Sequence, residues 1–222
     1  MTAAGPGTRS ERKHAAIVAA ATSVFLDRGY HGASMDEVAR VAAVSKQTVY
    51  KHFADKERLF TEIVMSAVDE AGDSVLQRAS DLGSTRDLGA DLSALAREQL
   101  ARVLQPRLIQ LRRLVIGEAG RFPELGRIFY ERGGARSAGV LAGAFEQLAA
   151  RGLLALDDPA LAAAHFNWLT MAAPVNRAML LGDEAIPTVA EQRRYADGGA
   201  RAFLAAYATG ASDSHTATAR KR

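Results

Sequence analysis

Nine consecutive residues, SKQTVYKHF at positions 45–53, carry side chains suited to binding a polyanion. They offer amide, hydroxyl, phenol, imidazole and ammonium groups, and none of the nine is acidic. Glutamine hydrogen-bonds the edge of adenine and lysine reaches the acceptors of guanine, while hydroxyl, imidazole and ammonium groups bind phosphate oxygens. Each residue alone could equally belong to a solvated helix surface. Together, within the helix pattern described below, they indicate a surface that contacts DNA.

The sequence contains no recognisable catalytic or metal-binding motif. The sequence has no cysteine, which excludes disulfides, thiolate metal ligands and a cysteine nucleophile. It also lacks a nucleophile motif, a glycine-rich phosphate loop and paired histidines at helical spacing. His165 has no second ligand one helical turn away. We therefore predict no metal and no cofactor, and an all-helical enzyme is the disfavoured alternative.

Composition and charge fit a globular protein with one basic end. Of the 222 residues, 48% are hydrophobic and 24% charged. No apolar run approaches the roughly 18 residues of a membrane span, and the first residues lack the apolar core of a signal peptide, so we predict a cytoplasmic location and no membrane partner. Residues 1–60 hold nine Lys/Arg and six Asp/Glu, a net of +3, whereas residues 61–210 hold sixteen and eighteen, a net of −2. The basic end indicates a polyanion partner.

The hydrophobic periodicity predicts one helix after another, without convincing strand alternation or hairpin turns. Ser34 precedes Glu37 by three residues, as in a capping box, and Ser45 is a second N-cap. Val49 and Phe53 are four residues apart and share the buried face of the helix between them. The predicted helices cover about 11–28, 35–41, 46–52, 55–79, 86–104, 106–120, 123–132, a stretch after 134 to 151, 158–181 and 187–209.

Counted without the shorter helix over 123–132, these elements predict an all-α protein of about nine helices in two functional parts. A long helix followed by two short helices joined by a tight turn is a helix-turn-helix pattern. The predicted division is a flexible arm over 1–10, a helix-turn-helix domain over 11–54, a helical effector-binding and dimerisation domain over 55–210, and a disordered basic tail over 211–222.

The stretch IVAAATSVFLDRGYHGASMDEVARVAAVSKQTVYKHFADKERLF, residues 17–60, resembles the DNA-binding domain of the TetR family of bacterial repressors. Spacing and residue types agree throughout it. The resemblance implies that the helix over 46–52 enters the major groove and that Ser34 and Lys56, at the starts of neighbouring helices, contact phosphates. We take Lys46 and Gln47 as the base-reading pair. The full predicted DNA face is Ser34, Ser45, Lys46, Gln47, Thr48, Tyr50, Lys51, His52 and Lys56.

A second stretch, LRRLVIGEAGRFPELGRIFYERG at 111–133, is similar to the C-terminal domain of the AefR-like subgroup of TetR regulators. In the TetR family this part binds a small molecule and forms a homodimer. The residues predicted to contact an effector are Glu118, Phe129, Trp168 and Met171, with ordinary core packing as the alternative for the apolar three.

The last two helices, about 158–181 and 187–209, are rich in small residues that let helices approach closely. Large contacts would come from Phe166, Trp168, Tyr195 and Phe203. Two such helices from each subunit would make a four-helix bundle between subunits. Packing within one chain is the alternative.

The function predicted from these observations is a ligand-controlled repressor. A two-fold dimer would place two copies of the helix over 46–52 in major grooves, so the operator would be nearly palindromic. An effector in the body would favour a conformer that no longer fits the operator. A transcriptional activator and a regulator that binds DNA without ligand control remain the alternatives.

Overall fold

The computed structural model describes residues 8–209, except for the side chains of Ala71, Asp73 and Ser74. In this part of the chain the structure is helical, with a single isolated bridge between Leu154 and Ala208, so the predicted all-α class is confirmed. The helices are α1 Arg9–Gly32, α2 Met35–Val41, α3 Lys46–His52, α4 Lys56–Asp81, α5 Leu88–Val103, α6 Pro106–Glu118, α7 Pro123–Phe129, α8 Arg136–Ala150, α9 Pro159–Leu181 and α10 Val189–Tyr207. A π-helix, Tyr130–Ala135, separates α7 from α8.

The first helix differs from its predicted bounds at both ends. Thr8 caps α1 in a full capping box with Glu11, so residues 8–10 are ordered as the start of the helix rather than as an arm. Gly29, with φ of 71°, interrupts the helical backbone just after residue 28, where the helix was predicted to end, and a further turn continues to Gly32. The rest of the predicted arm and the predicted tail lie outside the described residues.

One compact unit, the first unit, comprises the chain up to Val68 together with Gln110–Phe129. Its core joins the helix-turn-helix helices to α4, α6 and α7 through Ile17, Phe25, Val38, Val49, Phe53, Phe60, Leu111, Val115 and Leu125. The Phe25 and Phe60 rings are 4.9 Å apart, and the Tyr30 and Phe122 rings are 5.0 Å apart. The packing therefore divides the chain differently from the predicted boundary at 54/55.

The second unit comprises Asp69–Ile109 and the chain from Tyr130 onward. Its core is built on Phe145, Phe166 and Phe203, whose ring centroids lie 4.9–5.9 Å apart. At Gly199 a Cβ atom would lie 2.6 Å from the carbonyl oxygen of Leu169, so α9 and α10 approach too closely there for any larger residue. Small residues thus serve close packing of these two helices within one chain.

None of the described helices combines the length and the apolar character that crossing a bilayer requires.

Candidate nucleic-acid interface

Two serine caps fix the starts of α2 and α3, as the sequence predicts. The Ser34 hydroxyl accepts a hydrogen bond from the Glu37 N–H at 3.2 Å, and the Ser45 hydroxyl accepts one from the Thr48 N–H at 3.1 Å. The Ser45 and Thr48 hydroxyls also hydrogen-bond each other at 2.8 Å. A cap of this kind is worth about 1 kcal/mol, so both hydroxyls stabilise the helices that they begin.

The turn between α2 and α3 is held by backbone hydrogen bonds. The Val44 N–H donates to the Ala39 carbonyl at 3.0 Å, and the Ala43 N–H donates to the Arg40 carbonyl at 3.3 Å. Ala43 has φ of 53°, the left-handed region that non-glycine residues seldom adopt. This tight turn fixes the direction of α3 relative to α2.

α3 buries one side and exposes the other. Val49 and Phe53 are 0% and 4% exposed and anchor the helix, as predicted. Lys46, Gln47, Tyr50 and Lys51 are exposed. The exposed side therefore carries two ammonium groups, an amide and a phenol, with no carboxylate on α3 itself.

Three residues of the predicted DNA face, Thr48, His52 and Lys56, are half-buried. The Thr48 hydroxyl hydrogen-bonds the Ser45 hydroxyl at the start of α3. The His52 ring lies edge-on to that of His14 on α1, with centroids 5.8 Å apart. His14 in turn hydrogen-bonds the Glu62 carboxylate at 2.7 Å. His52 therefore helps to pack α3 against α1.

Lys46 is paired with a residue that sequence reasoning missed. Its ammonium donates to the Asp36 carboxylate of α2 at 2.5 Å, and the two side chains are 65% and 57% exposed. An exposed ion pair of this kind is worth about 0–1 kcal/mol. A phosphate or a base edge could displace Asp36 at little cost. The only sequence signal is the presence of two acidic residues, Asp36 and Glu37, in the first turn of α2.

Lys56 holds two helices together besides facing solvent. Its ammonium donates to the carbonyl oxygens of Tyr30 at 2.8 Å and Ala33 at 3.0 Å, and lies 4.6 Å from the Tyr30 ring centroid. An ammonium has three donors, so one is left for a phosphate. The residue ties the start of α4 to the end of α1.

The four predicted effector residues are divided between the two units. Glu118 and Phe129 belong to the first unit, where the Glu118 carboxylate lies 3.3 Å from His31 Nε2 and the Phe129 ring lies under the Arg112 guanidinium. Met171 packs against the core of the second unit. Trp168 is 67% exposed, which fits an exposed apolar surface better than the wall of an enclosed pocket.

An exposed apolar surface follows α9 and the first half of α10. Leu180 is the most exposed of its members, at 82%. We call the set the α9–α10 apolar surface; its members are Leu161, Trp168, Leu169, Leu180, Leu181, Val189 and Tyr195. Phe166 and Phe203, predicted as contacts between subunits, are instead 0% exposed, because they form the core of their own chain. That part of the prediction was wrong.

Among the side chains that the structure describes, no three histidine, aspartate or glutamate residues group as metal ligands. His165 hydrogen-bonds the Tyr207 hydroxyl at 2.6 Å.

Two family models together match most of the described chain. Residues 17–63 match the model of bacterial regulatory proteins of the tetR family, and residues 90–209 match that of the AefR-like transcriptional repressor C-terminal domain. The chain belongs to the TetR family. It is therefore a DNA-binding transcriptional regulator, and the two predicted resemblances are confirmed.

Solved structures resemble this TetR-family regulator over nearly its whole length. A protein from Mesorhizobium loti described as a TetR-family transcriptional regulator is 42% identical, with a TM-score of 0.85, covering 91% of this chain and 100% of that one. The flavonoid-responsive regulator FrrA is 30% identical, with a TM-score of 0.71, covering 90% and 99%. The similarity thus includes both units.

Curated relatives match over shorter stretches. The transcriptional activator FasR of Mycolicibacterium smegmatis is 44% identical over 69 residues, 31% of each chain. The transcriptional repressor TetR of Mycobacteroides abscessus is 36% identical over 101 residues, 45% of this chain and 50% of that one. The chain therefore spans no more than half the length of these two relatives, one of which activates and one of which represses.

Proposed function

We propose that this TetR-family regulator is a repressor that binds a nearly palindromic operator as a two-fold dimer and leaves it when a small molecule binds. The observation that carries the proposal is the chemistry of the exposed side of α3. This side presents Lys46, Gln47, Tyr50 and Lys51, and the helix contains no carboxylate. The opposite side is anchored in the core by Val49 and Phe53. The exposed side is complementary to a major groove lined by base edges and phosphates.

Within this proposal the residues of the DNA face have two roles. Lys46 and Gln47, both exposed near the start of α3, read bases. The others position the protein through phosphates; they are Ser34, Ser45, Thr48, Tyr50, Lys51, His52 and Lys56. In the free protein the Asp36 carboxylate pairs with the Lys46 ammonium, and DNA takes the place of Asp36 on binding.

The dimer is proposed to form through the α9–α10 apolar surface. Leu180, Leu181 and Val189 are 82%, 71% and 65% exposed in the single chain. Exposed apolar residues gathered on adjoining helices are typical of protein interfaces. A two-fold axis through this surface would present two copies of α3 and so require two symmetric half-sites.

Release by a ligand, and repression rather than activation, are supported by the C-terminal match. Residues 90–209 match the domain of an AefR-like transcriptional repressor, whereas FasR, the activator, matches over 69 residues only. FrrA is described as responsive to flavonoids. An effector would act by binding more tightly to a conformer that does not fit the operator.

In vitro selection of DNA sequences by the purified protein tests the proposal. We expect an enriched site with two inverted half-sites. Gln47→Ala should lower the preference for a base at one symmetric pair of positions by about 1–3 kcal/mol per contact. Arg58→Ala, exposed on α4, is the control and should leave the preferred sequence unchanged. A folded dimer that enriches no sequence at low salt would contradict the proposal.

A further inference from the structure

The guanidinium of Arg112, in the middle of α6, is half-buried and lies over the Phe129 ring of α7, with 5.5 Å between its central carbon and the ring centroid. Among the described residues it forms no hydrogen bond and no ion pair. Burial lowers the pKa of the Arg112 guanidinium, which shows that its surroundings disfavour the charge. The ring compensates only in part, because it attracts the cation without replacing the hydrogen-bond acceptors of its N–H groups.

Other arginines of the chain show the usual arrangement. Arg97 makes a bidentate contact with Asp197 at 2.6 and 2.8 Å, Arg127 contacts Glu124 at 2.6 Å, and Arg132 contacts Asp69 at 2.8 Å. All three arginines are exposed. Arg112 reverses the pattern, since it is half-buried and has no anionic partner among the described residues. A charge withdrawn from water without a partner is costly, and a ligand that supplies the anion would remove that cost.

We propose that Arg112 binds the carboxylate of an amphipathic effector whose apolar part lies beside Phe129. The inference rests on the proposed function and names the chemical class of its effector. A planar guanidinium matches a carboxylate through two parallel N–H···O bonds. The Phe129 ring lies against the guanidinium, and the carboxylate of the proposed ligand would accept from its N–H groups, which have no acceptor among the described residues. One positive charge balances one carboxylate.

A ligand at Arg112 would act on a helix that completes the core beneath the DNA face. Leu111, the preceding residue, and Val115, one turn further, are 0% and 2% exposed in the core of the first unit. That same core contains Val49 and Phe53, the anchors of α3. Because packed cores transmit small shifts, a movement of α6 when the ligand binds would change the position of α3 on this core.

Binding of matched probes to the full chain tests the inference. Dodecanoate and 2-naphthoate are compared with dodecan-1-ol and 2-naphthamide, which have the same apolar parts without the charge. We expect wild type to bind at least one carboxylate about tenfold or more tightly than its neutral analogue. Arg112→Met should lose that difference. Arg107→Met, exposed in the first turn of the same helix, should keep it.

Two further readouts separate a ligand anchor from a structural residue. As an anchor, Arg112→Met should melt at or above the wild-type temperature, because the variant removes an unpaired charge. A structural arginine would instead lower the melting temperature and leave probe affinity unchanged. The probe concentration that releases the protein from its selected DNA should rise at least about tenfold in Arg112→Met and stay the same in Arg107→Met.

Each result decides the inference. It is overturned if neither carboxylate binds wild type better than its neutral analogue, or if Arg112→Met binds the carboxylates as wild type does. If wild type and Arg107→Met select no DNA while the carboxylate preference depends on Arg112, the proposed function fails and the carboxylate site stands.

Discussion

Two exposed helix surfaces of this regulator differ in chemistry. The outer side of α3 exposes ammonium, amide and phenol groups, whereas the α9–α10 apolar surface exposes leucine, valine and aromatic side chains. A polar side is well solvated without a partner, so binding there can be reversible. Each exposed Å² of the apolar surface costs about 25 cal/mol relative to burial. The comparison agrees with the proposal of a transient DNA partner for α3 and a lasting partner subunit for α9 and α10.

The largest loss of stability should come from a substitution on the buried side of α3. Phe53→Ala should lower the free energy of unfolding by about 3–5 kcal/mol, because it leaves a cavity beneath the helix. Tyr50→Ala, on the exposed side of the same helix and 53% exposed, should change it by no more than about 0.5 kcal/mol. Urea unfolding of both variants measures the difference. Equal losses would show that the two sides of α3 are not distinct.

A substitution on the α9–α10 apolar surface should weaken dimerisation rather than lower the stability of the fold. Trp168→Ala should weaken the dimer by about 2–4 kcal/mol, since large central aromatic residues dominate interfaces. Sedimentation over a range of protein concentrations measures the dissociation constant. Glu146→Ala, exposed on α8, is the control. An unchanged dimer in Trp168→Ala would assign the interface to another surface.

Lys56 tests whether a residue of the DNA face also stabilises the fold. Lys56→Met should lower the free energy of unfolding by about 1–2 kcal/mol, because the carbonyls of Tyr30 and Ala33 lose a charged donor. It should also lower the salt dependence of DNA binding by up to about one ion. Arg58→Met, exposed two residues further along α4, should leave stability unchanged. A change in salt dependence with full stability would make Lys56 a phosphate contact alone.

Asp36 should restrain DNA binding slightly. Asp36→Asn frees Lys46 and removes a negative charge beside α3, so affinity for the selected site should rise by about 0.2–1 kcal/mol. A titration by fluorescence anisotropy at low salt measures the gain. Asp27→Asn, an exposed carboxylate of α1, is the control. The gain should disappear when Lys46→Met is added, and its persistence would rule out the ion pair as the cause.

The smallest effect concerns the start of α10. The Glu191 carboxylate accepts from the Thr188 N–H at 2.8 Å and from its hydroxyl at 3.0 Å. These bonds, with Arg177, lower the pKa of Glu191 below its ordinary 4.5. A lowered folded pKa gives stability that is present above about pH 4.5 and is lost as the pH falls through the folded value.

Wild type should therefore lose more stability between about pH 5 and pH 3 than Glu191→Gln does, in thermal unfolding across that range. Glu184→Gln, exposed before α10, should behave as wild type. Parallel pH profiles for wild type and Glu191→Gln would contradict the assignment.

The sequence allows the start and the buried side of α3 to be predicted, because both depend on residues close together in the chain. The caps at Ser34 and Ser45 and the anchors Val49 and Phe53 depend on neighbours three or four residues away, so the sequence shows them directly. The bonds of Lys56 join residues 23 and 26 positions apart and leave no local signal.

The same limit explains the errors in the second unit. Periodicity marks Phe166 and Trp168 alike as apolar positions on one helix, yet the first is fully buried and the second 67% exposed. Whether an apolar residue faces its own core or a partner depends on the packing of distant helices, which the pattern of one helix does not contain.

The first unit is built from two segments that are far apart in the sequence, and this separation affects when the unit folds during synthesis. Leu111, Val115 and Leu125 belong to the same core as α1–α3, although 41 residues, Asp69–Ile109, separate Gln110 from Val68. When only the segment up to Val68 has left the ribosome, that core has an open side. The DNA-reading part therefore finishes folding only after residue 125 has emerged, and a short N-terminal fragment would display an unfinished apolar face to the cell.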